Sequence, residues 1–244
     1  MRTVLYLALL LLAATSCRGQ NSSADSAAYS APAYRATLRK LAVRRAHLAA
    51  RYRQASTPAA RAACLAEARN LWLTALDSTV FPAWEGTPWS FYGQSWEPRR
   101  GSIACGYFVT TALHQSGLRL QRSLLAKQAA TVIIRNLTTE AHMHRYRGLS
   151  QTEFVRQVSQ LGPGLYVLGL DYHVGFLRVR EGGAVQLVHS SWTGATAVVR
   201  EAADSSSSLE SQGRVVGKIS ADDALLRAWL LGTPLVARGC TVKS

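Results

Sequence analysis

Gly162-Pro163-Gly164 divides the chain into two parts of different pattern, and this division most constrains the fold. Before it, apolar residues recur at helical spacing. After it, short runs rich in Val, Leu and aromatic residues are separated by turn signals. Because helices come first and an antiparallel sheet follows, the sequence predicts an α+β fold, with N-terminal helices packed on a small antiparallel sheet.

Local signals place the individual elements. Thr57 followed by Pro58, and Ser150 followed by Glu153, are typical of helix starts. Glu181-Gly182-Gly183 predicts a hairpin turn. The predicted helices are 33–55, 58–76, 105–116, 121–136, 150–161 and 221–231, and the predicted strands are 165–170, 173–180, 184–189, 195–200, 214–219 and 234–237. Residues 81–100 carry aromatic side chains without periodic spacing, which predicts an irregular loop able to line a groove.

The first residues predict export. Arg2 precedes an apolar run, Val4–Ala14, which suits a secretory signal peptide over 1–16 but is too short to span a bilayer. Small residues then lead to Cys17, which resembles a bacterial lipobox and predicts lipidation of that cysteine. An ordinary signal peptide cut nearby is the alternative. The expected location is the cell envelope, as an outer-membrane lipoprotein that faces the periplasm.

The remaining chain predicts three further parts. Residues 17–32 are small and polar, as in a tether between a lipid anchor and a domain. Residues 33–80 form a helical extension, and residues 81–244 form the main domain.

The net charge indicates the surroundings that the chain favours. Lys and Arg number 28 against 14 Asp and Glu, a net charge of +14, which favours anionic surroundings such as membrane headgroups or a cell wall. The arginines form no helical recognition pattern, so no nucleic-acid partner is predicted.

After Cys17, three cysteines remain, so at least one thiol is free. Either Cys64 pairs with Cys240 and leaves Cys105 reduced, or all three are unpaired.

Cys105 begins a predicted helix, where the helix dipole favours the reactive thiolate. His173 and His189 follow on strand-like segments. A thiol, an imidazole base and a third group that orients the imidazole are the parts of a nucleophilic cysteine site. A two-residue turn at Gly182-Gly183 would set His189 opposite Phe176, on the other face from His173, so a longer loop or a bulge is required. Asp171 is a rival orienting group.

These motifs resemble the NlpC-type family of cell-wall cysteine peptidases, whose members have a papain-like fold. Pro88-Trp89 stands where the family has Pro-Tyr, and Ala104-Cys105-Gly106-Tyr107 stands in place of Asp-Cys-Ser-Gly. His173-Val174-Gly175-Phe176 is similar to His-Val-Gly-Ile, and Val188-His189-Ser190 is similar to Ile-His-Ala. The resemblance covers roughly residues 84–200. It implies Cys105 as nucleophile, His173 as base and His189 as orienting residue in a papain-like catalytic domain.

The chain departs from the family pattern beside the nucleophile. Ala104 and Gly106 replace Asp and Ser, and Trp89 replaces a Tyr whose hydroxyl helps to bind substrate. Tyr92 or Gln94 can supply that donor, so Trp89, Tyr92 and Gln94 are the expected substrate-binding residues. The substrate can therefore differ from the peptidoglycan stem peptides that the family usually cuts.

No cofactor or metal is expected. His142 and His144 would share a face only on a strand, and no cysteine or carboxylate cluster completes a metal site around them. The expected activity is cleavage of amide bonds, most of all in peptidoglycan peptides. The alternatives are an acyl or peptidyl transferase that uses the same residues, and an envelope lipoprotein that keeps the fold as a binding module.

Overall fold

A computed structural model describes residues 29–241. The predicted signal peptide, Cys17 and most of the predicted tether lie outside this range. Eight α-helices are present in the described chain: α1 Ala31–Gln54, α2 Pro58–Ala75, α3 Phe81–Trp84, α4 Cys105–Gln115, α5 Arg122–Ala126, α6 Ala130–Leu137, α7 Gln151–Gln160 and α8 Asp223–Leu231. A single π-helical turn, Leu76–Val80, joins α2 to α3.

The predicted helix starts are confirmed where a side chain caps the helix. The Thr57 hydroxyl accepts a hydrogen bond from the Ala60 N–H at 3.1 Å, and Ser150 accepts one from the Glu153 N–H at 3.2 Å. These bonds satisfy amide groups that have no partner within the helix. The first helix begins at Ala31, inside the segment predicted as tether.

The strands form one antiparallel sheet. They are β1 Met143–Arg147, β2 Gly164–Leu170, β3 Val174–Val179, β4 Val185–Ser190, β5 Val198–Ala202 and β6 Gly213–Lys218. Their order across the sheet is β1-β6-β2-β3-β4-β5, and every pairing is antiparallel. The α+β class with helices and an antiparallel sheet is therefore confirmed.

One predicted helix and one predicted strand differ from the structure, and one strand was missed. The helix predicted over 121–136 is two helices, α5 and α6, because Ala129 between them has an extended backbone. The terminal strand predicted over 234–237 is wrong: Leu235 makes one isolated bridge, to Leu120. Strand β1 was not predicted, because its sequence Met-His-Arg-Tyr-Arg lacks the apolar alternation that reveals a strand.

The N-terminal helices share a core with the main domain. Trp72 of α2 stacks on Trp229 of α8 with ring centroids 5.8 Å apart, and both side chains are fully buried. Both indole N–H groups donate to Ser116, one to its hydroxyl and one to its carbonyl, each at 2.8 Å. A second apolar cluster lies on the opposite face of the sheet, around Phe154 of α7. In the described part of the chain, no helix is long and apolar enough to cross a membrane.

Candidate active site

Cys105 is the first residue of α4, and three hydrogen bonds hold the backbone just before it. The Ala104 N–H donates to the Gly93 carbonyl at 2.9 Å, and the Ile103 N–H donates to the Pro88 carbonyl at 2.9 Å. The Ser190 hydroxyl, at the end of β4, donates to the Ile103 carbonyl at 2.7 Å. The aromatic loop and the sheet therefore both fix the position of the thiol.

Burial decides the charge state of this thiol. Desolvation raises the pKa of Cys105 above its ordinary value, and backbone N–H groups of Val174, Gly106 and Cys105 itself oppose the shift. The amide groups at the helix start thus act in the direction that the sequence predicts, but burial outweighs them. The resting thiol is therefore neutral.

The hairpin between β3 and β4 has the longer loop that the site requires. The Arg180 N–H donates to the Ala184 carbonyl at 2.8 Å, so the loop has three residues, Glu181-Gly182-Gly183. Both glycines have positive φ, +83° and +89°, a conformation that a side chain disfavours.

This loop sets the register of the hairpin. Phe176 pairs with Val188, so the next position brings His189 beside Gly175. A Cβ at Gly175 would lie 2.8 Å from the His189 Cβ, so only glycine leaves room for the imidazole. His189 consequently lies on the same face as His173.

Three side chains form a hydrogen-bonded relay. His173 Nε2 lies 2.8 Å from His189 Nδ1, and His189 Nε2 lies 3.1 Å from Glu201 Oε1 on β5. The Ser206 hydroxyl donates to the same Glu201 oxygen. His189 is fully buried, whereas the Glu201 side chain is 38% exposed. The relay therefore connects a buried base to a carboxylate that solvent can reach.

The relay selects the tautomer of each imidazole. An ionised carboxylate only accepts, so His189 donates from Nε2 to Glu201, and its Nδ1 is left as an acceptor. His173 then donates from Nε2 to that nitrogen. The Nδ1 of His173 is consequently the unprotonated nitrogen.

Both imidazoles are held neutral. Burial, and to a smaller extent the neighbouring His189, lower the pKa of His173 to about 3. Burial also lowers the pKa of His189, against the opposing effect of Glu201. At neutral pH the site therefore contains a neutral thiol and a neutral imidazole rather than an ion pair.

Cys105 and His173 border the same cavity of about 740 Å³. The three residues predicted to bind substrate, Trp89, Tyr92 and Gln94, line it as well. The Tyr92 side chain is 82% exposed at the rim of the cavity. The structure thus gathers the expected site residues in one place.

Asp171, the rival orienting group, has other partners. Its carboxylate accepts from the Ser211 hydroxyl at 2.8 Å and from the backbone N–H groups of Gln212 at 2.9 Å and Gly213 at 3.2 Å. Of the two candidates, His189 is the one that bonds to His173.

Gly106 has a packing reason for its departure from the family pattern. A Cβ at this position would lie 2.2 Å from the carbonyl oxygen of Ala126 at the end of α5. A serine therefore cannot occupy the position unless α5 moves.

Sequence reasoning missed Glu201 and Arg122. Glu201 lies on a partly exposed strand, and only the pairing of β4 with β5 reveals that it reaches His189. Arg122 is 5% exposed, and it donates to the backbone carbonyls of Gln94 at 2.9 Å and Ser95 at 2.8 Å. Its guanidinium carbon lies 3.8 Å from the centroid of the Trp96 ring. Arg122 therefore holds the aromatic loop in place beside α4.

The other cysteines and histidines stay outside the site. Cys64, Cys105 and Cys240 are all free, so the arrangement with three unpaired cysteines is the one present, and no Cys64–Cys240 disulfide forms. Within residues 29–241, no group of three His, Cys, Asp or Glu side chains is placed to hold a metal ion.

Comparison of the chain with models of protein families, with curated proteins and with solved structures gives no match. The similarity to NlpC-type peptidases accordingly rests on the motif residues.

We predict that Gly106→Ser displaces α5 and misplaces the thiol. Forcing a side chain into this packed contact costs about 1–3 kcal/mol of unfolding free energy. Chemical denaturation measures that loss, with Gly148→Ser as a control, because a Cβ at Gly148 meets no atom within 4 Å although its φ of +67° adds some backbone strain. Equal stability of Gly106→Ser and wild type would contradict the close packing of α5 on α4.

Proposed function

We propose that the protein is a cysteine hydrolase that cleaves amide bonds through a thioester at Cys105. The observation that carries this proposal is the relay of His173, His189 and Glu201, which leaves one unprotonated nitrogen on His173, a residue that borders the same cavity as Cys105. A structural cysteine beside a satisfied core histidine would need no such relay.

The reaction has two halves. His173 Nδ1 takes the thiol proton as Cys105 Sγ attacks the amide carbonyl, and the imidazolium then gives that proton to the departing amine. The product of this half is an acyl-thioester on Cys105 and a free amine. Water, deprotonated by His173, then attacks the thioester carbonyl, which releases the acid and restores the thiol.

His189 and Glu201 stabilise the positive charge that His173 acquires when it takes the thiol proton. A buried imidazolium is costly in isolation, but the positive charge can be shared through His189 with the Glu201 carboxylate. The relay also fixes the orientation of the His173 ring. Orienting the imidazole is the role of the third group in nucleophilic cysteine sites. Gln94, whose side chain lines the cavity, is the proposed donor to the carbonyl oxygen as it becomes negative.

The wider setting is part of the proposal. We propose a papain-like fold of the NlpC-type, export by the predicted signal peptide and lipidation at Cys17, and peptidoglycan peptides as the leading substrate. The net charge of +14 supports an anionic envelope as surroundings.

An acyl or peptidyl transferase is the second candidate. The apolar wall of the cavity favours it, because an apolar acceptor bound against that wall can compete with water for the thioester. Product analysis in the presence of amines separates the two activities.

Acylation by p-nitrophenyl acetate tests whether Cys105 is the nucleophile. We expect acetylation of Cys105, mapped by mass spectrometry, at least about 100-fold faster than acetylation of Cys240, because a positioned base contributes about 10²–10⁴ in rate. Cys240 is a half-buried free thiol in the same chain, so it serves as the internal control. Comparable rates at the two cysteines would contradict the proposal.

The pH dependence of that acetylation tests the base. His173 acts only when neutral, and its pKa lies near 3, so lowering the pH from 8 to 5 is expected to leave the rate nearly constant. An unassisted thiol would lose about tenfold per pH unit over this range. His173→Gln should show that steep loss. A midpoint near 6.5 in wild type would mean that the imidazole is not buried and neutral as described.

Release of muropeptides from purified peptidoglycan tests the leading substrate. Wild-type protein without residues 1–17 should release peptides, and Cys105→Ala should release none because no thioester can form. Equal release by both proteins, or none by wild type despite rapid acetylation of Cys105, would rule out peptidoglycan as the substrate of this site.

A further inference from the structure

The thiol lies between two cavities of different character. The cavity of about 740 Å³ adjoins a second one of about 480 Å³, and Cys105, Tyr172 and His173 border both. A substrate bound across the thiol would therefore place one group in each cavity.

Aromatic side chains form one wall of the larger cavity, and we call them the aromatic wall: Trp89, Phe91, Tyr92, Tyr172 and Trp192. The last four are 71%, 82%, 94% and 55% exposed. They account for four of the seven large apolar side chains that are exposed within residues 29–241. Exposed aromatic residues gathered around a cavity mark a binding surface for an apolar group.

Charged groups are scarce on this side. Lys127 is the one lysine, arginine or carboxylate side chain that borders the larger cavity in the described chain. The aromatic rings of the wall offer a strongly polar group no hydrogen-bond partners in exchange for its hydration. The larger cavity therefore suits an apolar group such as an aliphatic acyl chain or an aromatic ring.

The smaller cavity carries both signs of charge. Arg147, the last residue of β1, and Asp171 both border it. They are brought together by Gly213, which pairs with Arg147 across the sheet and donates its N–H to Asp171. No ion pair within residues 29–241 engages the guanidinium of Arg147. It is therefore available to a carboxylate on a ligand.

We propose that the site takes amphipathic amides, with an apolar acyl or aromatic group against the aromatic wall and a carboxylate-bearing amino-acid group at Arg147. An N-acyl amino acid or a peptide with an apolar residue on one side of the scissile bond has this form. The proposal rests on the proposed function, since it specifies the substrate of the same thiol. Hydrolysis of such an amide consumes one water and breaks the C–N bond. If the apolar group is on the acyl side, the products are an apolar acid and an amine that carries the carboxylate. If it is on the amine side, the products are an acid that carries the second carboxylate and an apolar amine.

Three iodoacetamide probes that differ in the group attached to the amide nitrogen test this proposal. Iodoacetamide reports the thiol alone, N-(2-naphthylmethyl)iodoacetamide adds an apolar ring, and iodoacetylglycine adds a carboxylate. In each reaction the Cys105 sulfur forms a bond to carbon, iodide leaves and the thiol proton passes to His173. The measured quantity is the second-order alkylation rate of Cys105, relative to Cys240 in the same sample.

For wild type we expect the naphthyl probe to react about tenfold or more faster than iodoacetamide, the smallest effect expected of an apolar group filling a fitted pocket. Tyr92→Ala with Trp192→Ala should reduce that preference, the ratio of the naphthyl rate to the iodoacetamide rate, to within about threefold. Val43→Ala is the control and should keep the preference, because Val43 is an exposed apolar residue on α1, far along the chain from the site. Arg147→Gln should reduce the rate with iodoacetylglycine alone.

The outcomes separate this proposal from the proposed function. Equal relative rates for the three probes, with rapid acetylation of Cys105 by p-nitrophenyl acetate, would overturn the amphipathic substrate and leave the hydrolase intact. A naphthyl preference that survives Tyr92→Ala with Trp192→Ala would also overturn it. Failure of Cys105 to be acetylated faster than Cys240 would overturn the hydrolase and, with it, the substrate proposed here.

Discussion

The register of the β3–β4 hairpin is the constraint on which the site depends. The three-residue loop at Glu181-Gly182-Gly183 brings His189 beside Gly175, on the face where it reaches His173. A slip of one residue would turn His189 to the opposite face and break the relay, because side chains alternate along a strand. Gly175 completes the arrangement, since a Cβ there would lie 2.8 Å from the His189 Cβ. The chemistry therefore depends on backbone geometry at three glycines.

Burial gives the site its electrostatic character. It raises the pKa of Cys105 and lowers the pKa of His173, so both groups rest without charge. In the proposed reaction, charge separation occurs during attack on the substrate, when Glu201 can stabilise the imidazolium through His189. The amide groups at the start of α4 assist the thiolate, but they do not create it in the resting protein.

The sequence allowed the prediction of features that local signals encode. Thr57 and Ser150 cap helices, the strands from β2 to β6 follow apolar runs, and Cys105, His173 and His189 were found by their order and motifs. Long-range pairing was not predictable. Glu201 reaches His189 only because β5 pairs with β4, and Arg122 reaches the aromatic loop only because α5 packs on α4. A polar strand such as β1 carries no apolar pattern that would reveal it. The hairpin register was left open by the sequence, because loop length and turn type determine it.

The tautomer of His173 tests the central claim most directly, because it depends on the whole relay. Nitrogen-15 NMR of the histidine-labelled protein at pH 7, with His173→Gln and His189→Gln spectra for assignment, distinguishes protonated from unprotonated ring nitrogens. The relay predicts a proton on Nε2 of His173 and none on Nδ1. It also predicts that Glu201→Gln shifts the ring-nitrogen signals of His189, which bonds to Glu201 directly, more than those of His173. A His173 ring protonated on Nδ1, or on both nitrogens at pH 7, would contradict the proposed role of His173 as a neutral base for Cys105.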